Sequence, residues 1–355
     1  MHKRAWLAAI LAIGCSGPPP ARGQGADDVL RVPPGFKIDV FAGNLQGVRY
    51  LALGPGNVVY ASQPGSGVVV KLTGATPVVV ASGLKGPFGI AFRHDTMYVA
   101  EEGDVKRFDP GSAAPVTIVA KVPRGGHSTR TILFGPDGKL YLAVGSSCNL
   151  CKEDDSLRAA VTQFNPDGSG GRIFAKGLRN TVGLAFNAKT GELWGGNNDR
   201  DNLGDDLPPE HINIIKDGRN YGWPECYLPG KPNPEYGTAD CSNVEPPAIT
   251  IQAHSAPLGL AFYTGTQFPR EYRGDAFVTL HGSWNRSVPT GAKVVRVEVD
   301  SAGRRAVGVE DFIVGWQRPD GSRWGRPVGL LVLPDGSLLV SDDYGGKIWR
   351  VSYGR

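Results

Sequence analysis

The sequence predicts an all-β protein built as a six-bladed β-propeller, and three observations carry that prediction. First, 50 of its 355 residues are glycine and 28 are proline, a load of turn formers that rules out a helical bundle or coiled coil. Hydrophobic residues still make up 41% and charged residues only 20%, enough apolar material for a real core. Second, the chain repeats itself at a spacing of roughly 40 to 75 residues, the longer intervals reading as loop insertions. The copies are Arg49-Tyr50-Leu51-Ala52-Leu53, Gly89-Ile90-Ala91-Phe92, Thr131-Ile132-Leu133-Phe134, Gly183-Leu184-Ala185-Phe186, Gly259-Leu260-Ala261-Phe262 and Gly329-Leu330-Leu331-Val332. Third, strand-like segments such as 139–144 and 337–340 follow Asp137-Gly138 and Asp335-Gly336, dipeptides that favour hairpins. Each unit reads as a small antiparallel sheet that cannot bury its faces alone. Radial packing of six such sheets solves this and protects their edges. A parallel β-solenoid fits less well, because the repeats are too long and irregular.

The domain organisation follows. Residues 1–24 read as a secretion signal: His2, Lys3 and Arg4 precede a short apolar run over 5–14, and Pro18, Pro19 and Pro20 break any helix. Cys15 after Leu11-Ala12-Ile13-Gly14 loosely matches a lipoprotein signal, so a lipid anchor is one alternative. Residues 25–355 form one propeller, with no later stretch apolar enough to span a bilayer as a helix. Formal net charge is +4, and cleavage near Ala21-Arg22-Gly23 leaves a nearly neutral chain without a basic run, which argues against a nucleic-acid partner. Export to the periplasm or medium permits disulfides. Cys148, Cys151, Cys226 and Cys241 allow three pairings, of which the two local ones, Cys148 with Cys151 and Cys226 with Cys241, are favoured. Lys152 after Cys151 excludes a c-type haem motif; a zinc site and a redox-active pair remain as alternatives.

The repeat also points to a site. Residues that begin the innermost strand of each blade ring one mouth of the central channel. Here they are Arg49; Pro87 and Phe88; His127 with Arg130; Arg179 and Asn180; Pro257; and Arg326, joined by a polar cluster at 281–286 that includes His281 and Arg286. Several guanidinium groups at one opening are best tolerated around an anion, and their forked donors suit carboxylate or phosphate oxygens. The segment 197–206 is crowded with Asp and Asn, oxygen donors of the kind that hard cations such as calcium take, though without EF-hand spacing. His127 at this mouth is a candidate general base. No GxSxG, HExxH or strand-following GxGxxG occurs, which leaves serine hydrolase, zincin and nicotinamide readings unsupported.

These blocks resemble the soluble quinoprotein sugar dehydrogenases, most closely the sorbosone dehydrogenase-like branch, from about Leu30 onward. The segments that carry the resemblance are 127–138, Gly177-Leu178-Arg179-Asn180 with 183–186, Asp205-Asp206 with Ile212-Asn213, 220–224 and 282–286. The resemblance implies a six-bladed propeller that carries pyrroloquinoline quinone (PQQ) and calcium and oxidises a sugar or sugar aldehyde. It implies His127 as catalytic base and Arg179 and Asn180 at cofactor and substrate. Arg326 and Arg286 would bind the quinone carboxylates, and Arg200, Asp201 and Asn202 would offer backbone carbonyls to calcium. Arg49 and His281 join the cofactor set through their place in the ring. Two positions depart from the glucose-oxidising branch: Ser146 stands where an aspartate orients the base, and Trp324 replaces a second cofactor arginine, where an indole could stack on a flat quinone. A cytochrome or membrane quinone would reoxidise the cofactor. Two rival readings keep the same scaffold: a calcium-dependent lactonase using the acidic loop, and a non-catalytic binding propeller.

Overall fold

The structure is a computed structural model that describes residues 29–354 except Ala75 and Ala113. The proposed signal and Cys15 lie outside the described residues. Six four-stranded antiparallel sheets are arranged as the blades of a β-propeller. Their innermost strands are Leu51–Leu53, Ile90–Arg93, Arg130–Phe134, Thr181–Phe186, Pro257–Phe262 and Pro327–Val332, so all six repeat copies are innermost strands as the sequence predicts. The expected hairpins form at both Asp-Gly turns, where Gly138 and Gly336 take positive φ of 73° and 83°.

The ring closes through its ends. The strand Phe36–Ala42 pairs antiparallel with Lys347–Tyr353, with Phe36 opposite Tyr353, and so becomes the outermost strand of the last blade. The repeat pattern does not announce that closure, because the pairing joins segments some three hundred residues apart. The long interval before Gly259 is an insertion in the fourth blade that holds a small hairpin, Cys226–Leu228 with Lys231–Pro232.

The recurrent glycines have a packing cause. A Cβ at Gly89 would meet the Arg130 carbonyl oxygen at 2.6 Å, at Gly259 the Val328 oxygen at 2.3 Å, and at Gly329 the Arg49 oxygen at 2.4 Å. Backbone thus approaches backbone between consecutive blades. Hydroxyls stitch the same seam: Thr131 donates to the Val182 carbonyl at 2.5 Å and Thr279 to that of Val328 at 2.6 Å. A Gly259→Ala variant should therefore lose about 1–3 kcal/mol, the usual cost of overpacking. A thermal melt should show a midpoint lower by several degrees; an unchanged midpoint would contradict this close approach.

Candidate active site

Tyr50, Phe88, Val182, Leu258 and Val328, from five inner strands or the residues just before them, form one apolar cluster on the axis. The residues that precede them therefore ring the same end of the channel. Arg49 precedes Tyr50 directly, and its guanidinium carbon lies 5.7 Å from the Phe88 ring centroid. Arg326 stands two residues before Val328. His281 is tied to the same rim by its backbone N–H, which donates to the Ala256 carbonyl at 2.9 Å.

One carboxylate organises the basic side of this mouth. Asp343 lies 3.5 Å from Arg49 Nε and accepts from His281 Nε2 at 3.1 Å on each oxygen. Burial alone would raise its pKa, but the His281 hydrogen bond and the charges of Arg49 and Arg326 outweigh that and hold it below the ordinary range. Burial pushes His281 down to about 4 despite Asp343, so it is a neutral donor. Arg49 and Arg326 are both lowered by burial, only partly offset by Asp343. Cationic charge here exceeds the counter-charge that the protein supplies.

A count of donors separates these arginines. Arg326 gives Nε to the His281 carbonyl and Nη2 to that of Gly282, and its Nη1 makes no protein hydrogen bond among the described residues. Arg49 Nε is buried without a hydrogen-bond partner. Arg179 is the opposite case. Its five N–H groups go to the Asn149 carbonyl, the Asn198 and Asp199 carbonyls, Asn149 Oδ1 and Asp201 Oδ2. It is 3% exposed, and it lends positive charge while holding loops rather than offering a free donor.

His127 lies on the other side of the mouth. Its Nδ1 is 3.0 Å from both the carbonyl and the hydroxyl oxygen of Ser146. A carbonyl only accepts, so Nδ1 carries the proton and Nε2 presents a lone pair. The Ser146 hydroxyl donates onward to the Cys148 carbonyl at 2.7 Å, which leaves its oxygen free to accept. Serine thus orients the imidazole, at the position where the sequence reading found a departure from the glucose-oxidising branch. Burial, then Arg179, push the His127 pKa down to about 4, against the raising effect of its hydrogen bond to the Ser146 carbonyl. Asn180 is packed alongside: a Cβ on Gly145 would meet Asn180 Oδ1 at 2.5 Å and His127 Cβ at 2.6 Å. That buried Oδ1 has no hydrogen-bond partner.

The acidic loop is committed residue by residue. Asp199 Oδ1 accepts from the Arg200 N–H at 2.6 Å, and Asp201 Oδ1 from Asn285 Nδ2 at 2.9 Å. Asp205 accepts from the Ser287 N–H, and Asp206 pairs with Arg286 at 3.1 Å. The Asp201 carbonyl accepts from Asn149 Nδ2 at 3.1 Å, while Asn202 turns the chain with a positive φ of 67°. Arg200 turns its side chain to Glu235 in the insertion at 2.5 Å. The expected cation ligands on 200–202 are thus backbone oxygens on a loop already braced at both sides. Both local disulfides form, Cys148–Cys151 and Cys226–Cys241.

A family model described as TrAA12-like matches residues 30–354. The chain belongs to the TrAA12-like family. An uncharacterised protein of Borreliella burgdorferi is 32% identical over 349 residues, covering 91% of each chain. A pyrroloquinoline quinone-dependent pyranose dehydrogenase of Coprinopsis cinerea is 24% identical over 418 residues; the match takes in 96% of this chain and 56% of that protein. A calcium structure of the Trichoderma reesei carbohydrate-active enzyme of family AA12 superposes with a TM-score of 0.79 at 21% identity, covering 93% of this chain and 98% of that one.

For this TrAA12-like chain the structure redraws part of the expected site. Trp324 is not at the mouth. Its indole N–H donates to the Gly315 carbonyl at 2.7 Å and its ring meets Trp349 edge-on at 6.0 Å, within the apolar cluster between the last two blades. Its neighbour Arg323 reaches inward instead, donating to the Ser283 carbonyl at 2.9 Å and adding to the positive field at Arg326. The sequence does not foretell this parting of neighbours, because a loop gives no periodicity to orient its side chains. Arg286 contacts neither Asp343, Arg49 nor Arg326; its guanidinium braces the acidic loop at Asp205 and Asp206. Asp343, Arg158 and Asn149 went unnoticed in the sequence. Arg130 and Arg158 hold the His127 loop, donating to the carbonyls of His127 at 2.6 Å and Gly125 at 2.8 Å.

Proposed function

We propose that this chain is an exported quinoprotein sugar dehydrogenase, carrying PQQ with calcium and oxidising a sugar or sugar aldehyde of the aldose or sorbosone type. The observation that carries the reading is the mouth itself. Arg49 and Arg326 share one carboxylate, Asp343, with Arg323 adding positive charge at Arg326, opposite a neutral imidazole whose Nε2 lone pair is available. The names of the pyranose dehydrogenase relative and of the calcium-bearing neighbour support it.

The residues fit the cofactor on chemical grounds. PQQ is a flat tricarboxylate, and the mouth has surplus guanidinium charge, a buried donor at Arg49 Nε that makes no hydrogen bond and a buried acceptor at Asn180 Oδ1 that receives none. Arg49 and Arg326 would hold its carboxylates while His281, its one N–H given to Asp343, steadies that counter-charge; Asn180 would lie beside the ring system, and loop 200–202 would offer backbone carbonyls to calcium. When bound, the group supplies a two-electron acceptor polarised by the cation. His127 Nε2 would take the proton from a substrate hydroxyl, or from the hydrate of an aldehyde, as hydride leaves the same carbon. Ser146 holds the imidazole in the required tautomer. Arg179 adds positive charge beside the base and fixes the loops around it. Two disulfides fit an oxidising compartment, and a cytochrome or membrane quinone would then accept the electrons. The lactonase reading needs carboxylates free to gather around a metal-bound water, and the acids of 199–206 are spent on the contacts above.

The test is a spectral titration of the cofactor-free protein with PQQ and calcium, followed by a panel of aldoses and sugar aldehydes. Quinone absorbance should saturate at micromolar cofactor and bleach on adding a substrate. No uptake at that concentration removes the reading.

A further inference from the structure

We propose that the Cys148–Cys151 disulfide loop is a positioning clamp, in which Asn149 joins the buried arginine to the acidic loop and the Cys148 carbonyl holds the serine that orients the base. The loop connects the second and third strands of the third blade, Leu140–Val144 and Ala160–Phe164, at the mouth. The disulfide closes a ring over a sequence separation of 3, with Asn149 inside it. Backbone freedom in so small a ring is low, so what Asn149 touches is held.

Asn149 touches a great deal. Its Oδ1 accepts from the Asp201 N–H at 2.7 Å while its Nδ2 donates to the Asp201 carbonyl at 3.1 Å, so one amide reads both main-chain groups of a loop residue 52 positions away. Oδ1 also accepts from Arg179 Nη2 at 2.9 Å, and the Asn149 carbonyl accepts from Arg179 Nε at 3.0 Å and from Trp223 Nε1 at 3.3 Å. The first half-cystine faces the other way: its carbonyl accepts the Ser146 hydroxyl that orients His127. A single covalent ring therefore fixes both the partner of the base and the partner of Arg179.

A purely stabilising role explains this poorly. Stabilisation by a cross-link grows with the length of chain it closes. The Cys226–Cys241 bond, with a separation of 15, is better suited to that task. The short bond does little but set local geometry. Asn149 is accordingly a positioning residue, since it acts on the site through Arg179 and Asp201. The kinetic side of the proposal rests on the dehydrogenase reading; the geometric side does not.

The experiment compares Asn149→Ala, Asn149→Asp and Cys148→Ser/Cys151→Ser with the wild type. Imidazole titration is followed by NMR on cofactor-free, histidine-labelled protein, with His127→Gln to assign the signal. Groups facing that imidazole are Arg130 and Arg158 on the third blade, Arg179 ahead of the fourth, and neutral Ser146. In the wild type His127 should titrate well below the ordinary histidine value. In Asn149→Ala and in the double serine variant Arg179 loses its fixed place and the pocket opens, so the midpoint should rise by about one pH unit or more. Asn149→Asp keeps the acceptor for Arg179 but sets a carboxylate against the Asp201 carbonyl, and should fall between. With PQQ and calcium, kcat of Asn149→Ala should drop about 10-fold or more, with KM changed less. Cys226→Ser/Cys241→Ser should leave the His127 midpoint in place. An unmoved midpoint in Asn149→Ala overturns the clamp, and that variant retains the disulfide, so it decides the matter even if the double serine variant fails to fold. Failure of the wild type to take up PQQ would sink the dehydrogenase reading while the titration still judged the clamp.

Discussion

Replacing His127 by alanine should leave PQQ uptake intact and lower kcat about 100-fold or more, the usual contribution of a placed general base. The expectation follows from geometry before titration. Nδ1 is fixed as donor by the Ser146 carbonyl, so Nε2 must be the proton acceptor. Among the described residues that act on it none can take its place: Arg130, Arg158 and Arg179 are cations held on backbone carbonyls, and Ser146 donates to Cys148. The pH dependence has a definite sign. A base works in its neutral form, and burial and Arg179 push this one down to about 4. The acid limb of kcat/KM should therefore lie well below the ordinary histidine range near 6.5, with activity retained as pH falls through 6 and lost nearer 4. The same depression bears on stability. The unfolded chain binds a proton on this histidine between about 6.5 and 4 that the folded chain refuses, so its contribution is complete above 6.5 and declines as pH falls through that window. Full activity in His127→Ala would reassign the base, and an acid limb at 6.5 or above would show an imidazole far more exposed than this one.

Removing the uncommitted guanidinium groups should damage cofactor binding rather than the chemical step. Arg326→Ala and Arg49→Ala should each weaken PQQ affinity by about 10- to 100-fold, the range expected for charge-assisted hydrogen bonds. Arg326 has Nη1 to spare and Arg49 has a buried Nε without a hydrogen-bond partner, while both share the single counter-charge of Asp343. Losing Arg49 also relieves repulsion at the cofactor-free mouth and strands no carbonyl, so Arg49→Ala should melt at or above the wild-type temperature while it binds more weakly; Arg326→Ala relieves the same repulsion but gives up its hydrogen bonds to the His281 and Gly282 carbonyls. Arg179→Ala should do the reverse and lower the melting temperature, because it strands the buried carbonyls of Asn198 and Asp199 that it now satisfies. Absorbance titration and thermal melts on the same preparations separate the two patterns. Wild-type affinity in both Arg49→Ala and Arg326→Ala would remove the anion cradle.

The six inner strands were legible because the repeat is a local pattern written in residue order: an apolar run, a turn of fixed chemistry, and a glycine where the next blade presses close. The same logic located His127, Arg49, Arg179, Asn180 and Arg326, since a residue at a given point of the repeat must reach a given end of the channel. Position in the repeat does not state what a side chain touches. Arg179 and Arg326 look equivalent in sequence, yet one has every donor taken and the other does not. Trp324 and Arg323 are adjacent, and only packing decided which of them turns inward. Asp343 and Asn149 lie in loops after second strands, where spacing varies from blade to blade and no pattern flags them.

Residue order alone fixed the number of blades and the end of the channel at which arginine, imidazole and loop oxygen gather. Tertiary structure decided how those groups are spent, and it decided the ring closure between 36–42 and 347–353. The physical reason is range. Strand and turn preferences act over a few residues and survive in any context. Hydrogen bonds such as Asn149 to Asp201, or the ion pair of Arg49 with Asp343, join segments that become neighbours only once the ring has closed.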